Sequence, residues 1–271
     1  MTKILLVPVN FNSYTELASY IESVETAYSM CPNYALNLTV YIADNSTTIE
    51  NILIPQNTNI SYLVNRNGNL GYFGGIKKVL EKITDITEYD YVVFSNVDLT
   101  ISKTFFAALL NNDSKNVGWI APRIWSSVEE RDKNPKILNR YTKRKLQLLK
   151  LLWRHPILHK IYTQTLYKRK KKTKYTHSRA HPKEIYAGHG SFIILTRDFF
   201  IHYPELNYPI FLFGEEIFLA ELCRKRNLKV IYRPELIIYD SEHISTSKMG
   251  GKFYYKCNFD AIEYLLKNFY E

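Results

Sequence analysis

Residues 91–101, YVVFSNVDLTI, start as a buried strand and then change character. Tyr91, Val92, Val93 and Phe94 are the β-branched and aromatic residues that suit the middle of a sheet. Ser95, Asn96 and Asp98 follow at once, before Leu99 and Ile101 restore the apolar pattern. An amide and a carboxylate at the end of a core strand have two readings. They cap a turn or a following helix, or they line a ligand site at the carboxyl edge of a sheet. Read locally, both stay open.

The flanking sequence places this strand in an alternating series. Strands are expected over 3–8, 38–43, 60–64, 91–95 and 117–121, with helices over 13–30, from the glycine-rich turn at 65–71 to Ile83, and over 104–110. Such alternation implies right-handed βαβ crossovers and a mainly parallel sheet, an α/β fold. Ligands in open α/β sheets sit beyond the carboxyl ends of the strands. Three strands here end in polar clusters: Pro8-Val9-Asn10, Asp44-Asn45-Ser46 and Asn96-Val97-Asp98. Further along, a turn at 188–190, strands over 191–195, 229–232 and 236–239, and helices over 215–226 and 253–269 complete the pattern.

With 271 residues and 46% hydrophobic content, one globular domain spanning 1–271 is expected, carrying an insertion. The net charge of +10 is concentrated. Between Arg131 and Ala180 there are 17 Lys or Arg and one acid, Asp132, whereas the remainder is acidic. Residues 126–180 therefore read as a basic amphipathic helical insertion, with Pro156 dividing its helix and KRKKKTK closing it at 168–174. Cys31, Cys223 and Cys257 follow no metal or redox spacing and point to a reducing compartment. The first apolar run is broken by Pro8 and reads as a strand, not a signal peptide. No apolar run approaches the roughly 20 residues of a membrane span.

Several segments have the residue types of a site. NRNGNLGYFGGIKK at 65–78 lacks the ending of a P-loop and the spacing of a dinucleotide fingerprint. Its glycines allow a ligand to approach the backbone, and the helix start favours phosphate; a tight turn is the plainer reading. Asp98 suits a hard divalent cation that also takes diphosphate oxygens. Glu215 and Glu216 open a helix, where acids favour the macrodipole; adjacent carboxylates also raise one another's pKa, which suits a general base. His189 is a candidate substrate contact and His243 a candidate metal ligand, although a lone histidine is more often structural.

The order of these motifs is more specific than any one of them. P-x-N, D-N-S, N-x-N-x-G-x-x-G-G, N-x-D, G-x-G-S, G-E-E and a late histidine resemble the family 2 glycosyltransferases with the GT-A fold. The likeness is greatest to bacterial rhamnosyl- and galactofuranosyltransferase-like enzymes of capsule and O-antigen assembly, and covers residues 3–125 and 184–247. It implies that Pro8, Asn10, Asp44 and Asn45 hold the base and ribose of a nucleotide-sugar. Asn65, Asn67, Gly71, Gly74 and Gly75 would lie beside the nucleotide. Asn96 takes the place of the first acid of a D-x-D motif, leaving Asp98 and His243 as ligands of Mg²⁺ or Mn²⁺. Glu216 would be the general base, with Glu215 the alternative, and Gly188, His189, Gly190 and Ser191 would line the sugar and acceptor pocket.

The resemblance implies an inverting transfer from a UDP- or dTDP-sugar to a hydroxyl of a glycan or polyprenyl-diphosphate-linked acceptor. Cations beside the apolar stripe at 143–174 are typical of interfacial helices, so an anionic membrane surface is an expected partner. A solvated arm or a homodimer contact is the alternative. The expected place is cytoplasmic, peripheral on the inner face of the cell membrane. Two rivals share part of the pattern. A sugar nucleotidyltransferase would carry a G-x-G-T-R-like loop, absent after Val7. A basic nucleic-acid-binding protein would explain the insertion but not the polar strand ends, so no nucleic acid is expected.

Overall fold

The computed structural model describes residues 1–31, 36–56, 59–111, 115–170, 181–240 and 251–270, with the backbone alone at 165–170. The chain runs β1 (Thr2–Asn10), α1 (Tyr14–Ser29), β2 (Leu36–Asp44), β3 (Ser61–Arg66), α2 (Tyr72–Leu80), β4 (Tyr91–Asn96), β5 (Leu99–Ile101) and α3 (Phe105–Leu110). It continues through β6 (Val117–Ser126), β7 (Arg131–Asp132), α4 (Lys143–Arg154), α5 (Pro156–Lys170), β8 (Lys183–Ile185), β9 (Phe192–Thr196), α6 (Arg197–His202), α7 (Glu215–Lys225), β10 (Lys229–Asp240) and α8 (Gly251–Phe269).

One sheet orders the strands β3-β2-β1-β4-β9-β6-β10-β5, with β7 on β6 and β8 on β10. The long ladders are parallel: β1 with β2 and β4, β2 with β3, and β6 with β10. The ladders of β5, β7, β8 and β9 are antiparallel and shorter. Period-2 alternation divides the core between the two faces. Ile4 and Leu6 pack with α1 and α3, whereas Leu5 and Val7 pack with α2 and α7. Pro8 interrupts a central strand because it has no N–H to donate. The pairing of β1 with β2 accordingly lapses after Leu6 and resumes at Val9.

Three features differ from the sequence reading. The strands expected at 229–232 and 236–239 are one, β10, whose register with β6 shifts between Arg233 and Ile237, around Pro234. The strand expected over 117–121 continues to Ser126. Strand β9 enters antiparallel between β4 and β6, so the sheet is mixed at its centre.

The first half of the basic segment is tied to the core. Arg131 and Asp132 pair with β6, and Ile137 bridges Ala187. Leu146 and Leu152 of α4 are buried. Thr142 caps α4 by accepting from the Lys145 amide at 3.2 Å, and Pro156 opens α5, where a missing N–H costs nothing. Among the described residues, no helix is long and apolar enough to cross a membrane.

Candidate active site

At the carboxyl ends of β1 and β2, polar side chains close on one another. Asn10 donates to Asp44 Oδ1 and to Ser46 Oγ, both at 3.1 Å. Asp44 also accepts from the Ser46 amide at 3.2 Å and from the Tyr14 hydroxyl at 3.0 Å. Arg66 Nε, at the end of β3, lies 3.5 Å from Asp44 Oδ2. The Asp44 side chain is 1% exposed and that of Arg66 44%. Asp44 is thus a saturated hub that fixes three strand ends, with the guanidinium at its open side. Pro8 is buried beside Ser95 in the β1–β4 ladder.

Asn45 links this hub to the glycine-rich turn. Its Nδ2 donates to the Gly71 carbonyl at 2.7 Å, while its Oδ1 is buried without a hydrogen-bond partner. Gly75, in α2, is required here, since a Cβ would lie 2.5 Å from Asn45 Oδ1. Gly71 has φ +75°, and a Cβ there would lie 2.0 Å from the Phe211 carbonyl. Gly74 lies in the first turn of α2. The Nδ2 atoms of Asn65 and Asn67 are buried without a hydrogen-bond partner. Buried polar groups are nearly always paired, so orphan amides at a strand edge fit a site that presents donors to a ligand.

The second part of the site surrounds the start of α7. Glu216 Oε1 accepts from the Gly190 amide at 3.4 Å, which brings the predicted acidic pair against the predicted 188–191 loop. Ser191 in turn accepts, through its carbonyl, from the Asn96 amide at 2.9 Å. Gly188 packs on Trp119. Asp98 stands at the turn into β5, whose Leu99 pairs with Asp240 at the end of β10. Asp240 is itself bound to Lys133 Nζ at 2.7 Å.

Glu215 is buried and accepts from the Phe213 amide at 2.9 Å. Burial first, and the neighbouring Glu216 second, push its carboxyl up to about 8, so it is protonated at neutral pH. Glu216, the less buried of the two, is the one that meets the Gly190 amide. His189 is held neutral by burial and then by Lys136, Lys133 and Arg131. Its Nδ1 accepts from the Ser191 amide at 3.2 Å, which puts the ring proton on Nε2. The His189 amide donates to Asn134 Oδ1 at 2.8 Å, a support that comes from the basic segment.

Tyr72 was hidden in the sequence. It stands between Gly71 and Phe73 and reads as helix packing, yet its hydroxyl is buried without a hydrogen-bond partner. Burial, above all, raises its pKa well above the usual value. It is therefore a neutral, unpartnered hydroxyl at the start of α2. The loose aromatic pattern gave no sign of this. Arg66 was also overlooked, because a cation after a strand is ordinary surface chemistry.

Among the described residues, no three His, Cys, Asp or Glu side chains are grouped to hold a metal. The expectation for His243 lies outside the described residues. Asp98 fits in chemistry, since Mg²⁺ is often held by one or two carboxylates plus substrate phosphates.

No protein-family model matches this sequence, and no curated protein does. Solved structures do. TarS from S. aureus matches over 100% of this chain and 40% of its own, with TM-score 0.52 and 12% identity. GalNAc-T7, crystallised with UDP, GalNAc and Mn²⁺, matches over 90% of this chain and 44% of its own, with TM-score 0.55 and 13% identity. A 1–349 form of TarS matches over 89% and 60%, with TM-score 0.50 and 13% identity. The fold is GT-A. This chain spans 40% to 60% of the length of those proteins, and identities this low carry the fold alone.

Proposed function

We propose that the chain is an inverting, metal-dependent glycosyltransferase that moves a sugar from a UDP- or dTDP-sugar to an acceptor hydroxyl. The observation that carries this reading is the meeting of Glu216 with Gly190, one loop away from Asn96 and Asp98. In this reading a base and a diphosphate-side carboxylate would stand near one another at the carboxyl edge of the sheet. The GalNAc-T7 structure with UDP and Mn²⁺ supports the donor class by fold analogy.

In this reading the base and ribose lie over the strand ends of Pro8, Asn10, Asp44 and Asn45. Arg66, Asn65 and Asn67 supply donors, and the start of α2, from Gly71 to Gly75, faces the nucleotide. Asp98, with His243, would hold Mg²⁺ or Mn²⁺, which supplies positive charge against the departing nucleoside diphosphate. Asn96 neighbours the donor without adding a negative charge. Glu216 takes the proton from the acceptor hydroxyl as that oxygen attacks the anomeric carbon. One displacement inverts the centre. Protonated Glu215 keeps a second negative charge away from Glu216, and the 188–191 loop orients sugar and acceptor.

The acceptor is a glycan or a polyprenyl-diphosphate-linked oligosaccharide, and the reaction belongs to cell-surface polysaccharide synthesis of the capsule or O-antigen kind. Hexosyl or rhamnosyl transfer fits the N-x-D motif. The test is donor turnover with Mn²⁺, followed as nucleoside diphosphate release. Asp98→Ala and Glu216→Ala should each reduce it by at least about 10²-fold with the fold intact. Near-normal turnover in either folded variant overturns the assignment.

A further inference from the structure

Helices α4 and α5 turn large apolar side chains outward while their other face is used inside. Leu146 and Leu152 of α4 are buried, and α4 packs along α8, where Lys150 pairs with Glu263 at 2.7 Å. Leu148 and Leu151 lie on the outer side, joined by Ile157, Leu158 and Ile161 of α5. Leu151 is 49%, Ile157 77% and Ile161 57% exposed. Lys143, Arg144, Arg154 and Lys160 are exposed on the same helices, and no acid occurs between Asp132 and Glu184. A solvated helix has no need of an outward apolar row, and an exposed row of this kind marks an interaction surface. The charge argues against a second copy of the same face, which would meet like charge. Nucleic acid would use the cations but not Ile157 or Leu151.

Aromatic packing ties this surface to the segment before α7. His159 of α5 stacks on Trp153 of α4 at 4.0 Å, and Trp153 meets Tyr254 of α8 at 5.5 Å. Tyr254 meets Phe213 at 5.2 Å, and the Phe213 amide binds Glu215. Beside it, half-exposed Phe253 meets Phe211, whose carbonyl accepts from the Tyr72 amide at 3.2 Å. Ring contacts thus run from α5 through α4 and α8 to Phe213, and a separate pair, Phe253 with Phe211, lies beside them.

We propose that α4 and α5 are the docking surface for an anionic lipid bilayer. The apolar row enters the acyl boundary while the cations meet anionic headgroups. The docking stands by itself, and its service to a bilayer-anchored acceptor rests on the glycosyltransferase reading.

The test is sedimentation of the full chain with vesicles of phosphatidylcholine alone and of equal parts phosphatidylcholine and phosphatidylglycerol. Capture by the anionic vesicles and not the neutral ones is expected, weakened by salt. Ile157→Asp with Ile161→Asp should weaken capture on the order of tenfold, as should Lys143→Glu with Arg144→Glu. Unchanged melting temperatures would show that both pairs fold. Capture unaffected by the first pair overturns the proposal. So does retention of duplex DNA without vesicle capture, or a wild-type dimer that the same substitutions dissociate. Capture without any nucleotide-sugar turnover leaves the docking in place and defeats the catalytic reading; turnover without capture does the reverse.

Discussion

Two polar clusters stand at the same edge of the sheet, and they differ in what their atoms touch. Around Asp44 the carboxylate is met by Asn10, the Ser46 amide, Tyr14 and Arg66, all from the protein. The Tyr72 hydroxyl and, at the end of β3 and just past it, the Nδ2 atoms of Asn65 and Asn67 are buried with no such partner. The first cluster spends its hydrogen-bonding capacity on holding strand ends together; the second keeps its capacity for something else. A polar strand end is therefore not in itself a site. In the proposed reading the first cluster gives the nucleotide a fixed frame, and the second gives it unpaired donors.

Substitutions that act differently on the two clusters sharpen this contrast. The largest stability effect is expected at Asp44. Asp44→Ala removes the carboxylate shared by Asn10, the Ser46 amide, Tyr14 and Arg66, at a cost of about 3 kcal/mol in chemical denaturation. A loss well under 1 kcal/mol would break the distinction.

Glu215→Gln comes next and is read through pH. The folded carboxyl is raised to about 8 from 4.5, so the native state holds a proton that the unfolded chain has released. Stability from this group is full below about 4.5 and is lost as pH rises to about 8. Wild type should lose stability steadily across that window, and Glu215→Gln should flatten the slope. Parallel pH profiles for the two proteins would show that the group is not held protonated. Tyr72→Phe is the mildest. It removes an unpartnered hydroxyl, so the melting temperature should not fall, while donor affinity drops by about 1 kcal/mol, several-fold in Kd. A destabilised variant with unchanged donor affinity would make Tyr72 part of the scaffold.

The same contrast explains what could be read beforehand. Strands such as Leu38–Ala43 and Tyr91–Ser95 were legible because their apolar runs and polar ends are local signals. The direction of β9 was not, since Ser191–Leu195 looks alike in either orientation and only the long connection before it decides. Residues 131–140 read as the start of the basic insertion, outside the common core. Two of their cations find distant acids: Lys133 binds Asp240, and Arg140 binds Glu221 at 2.6 Å. Nothing within ten residues announces those pairs. In the site, the meeting of Gly190 with Glu216 was implied by motif order, but Tyr72 and Arg66 were visible only once their surroundings were known.

The central claim is nucleotide-sugar transfer, and one measurement bears on it most directly. The protein is melted with UDP-, GDP- and dTDP-sugars in the presence of Mn²⁺, and product is followed in parallel for wild type and Glu216→Gln. A UDP- or dTDP-sugar should raise the melting temperature of both proteins, by the equivalent of about 2.7 kcal/mol near 100 times Kd. Only wild type should then release nucleoside diphosphate at a measurable rate. No shift with any nucleotide-sugar, or equal turnover by Glu216→Gln, would contradict the account.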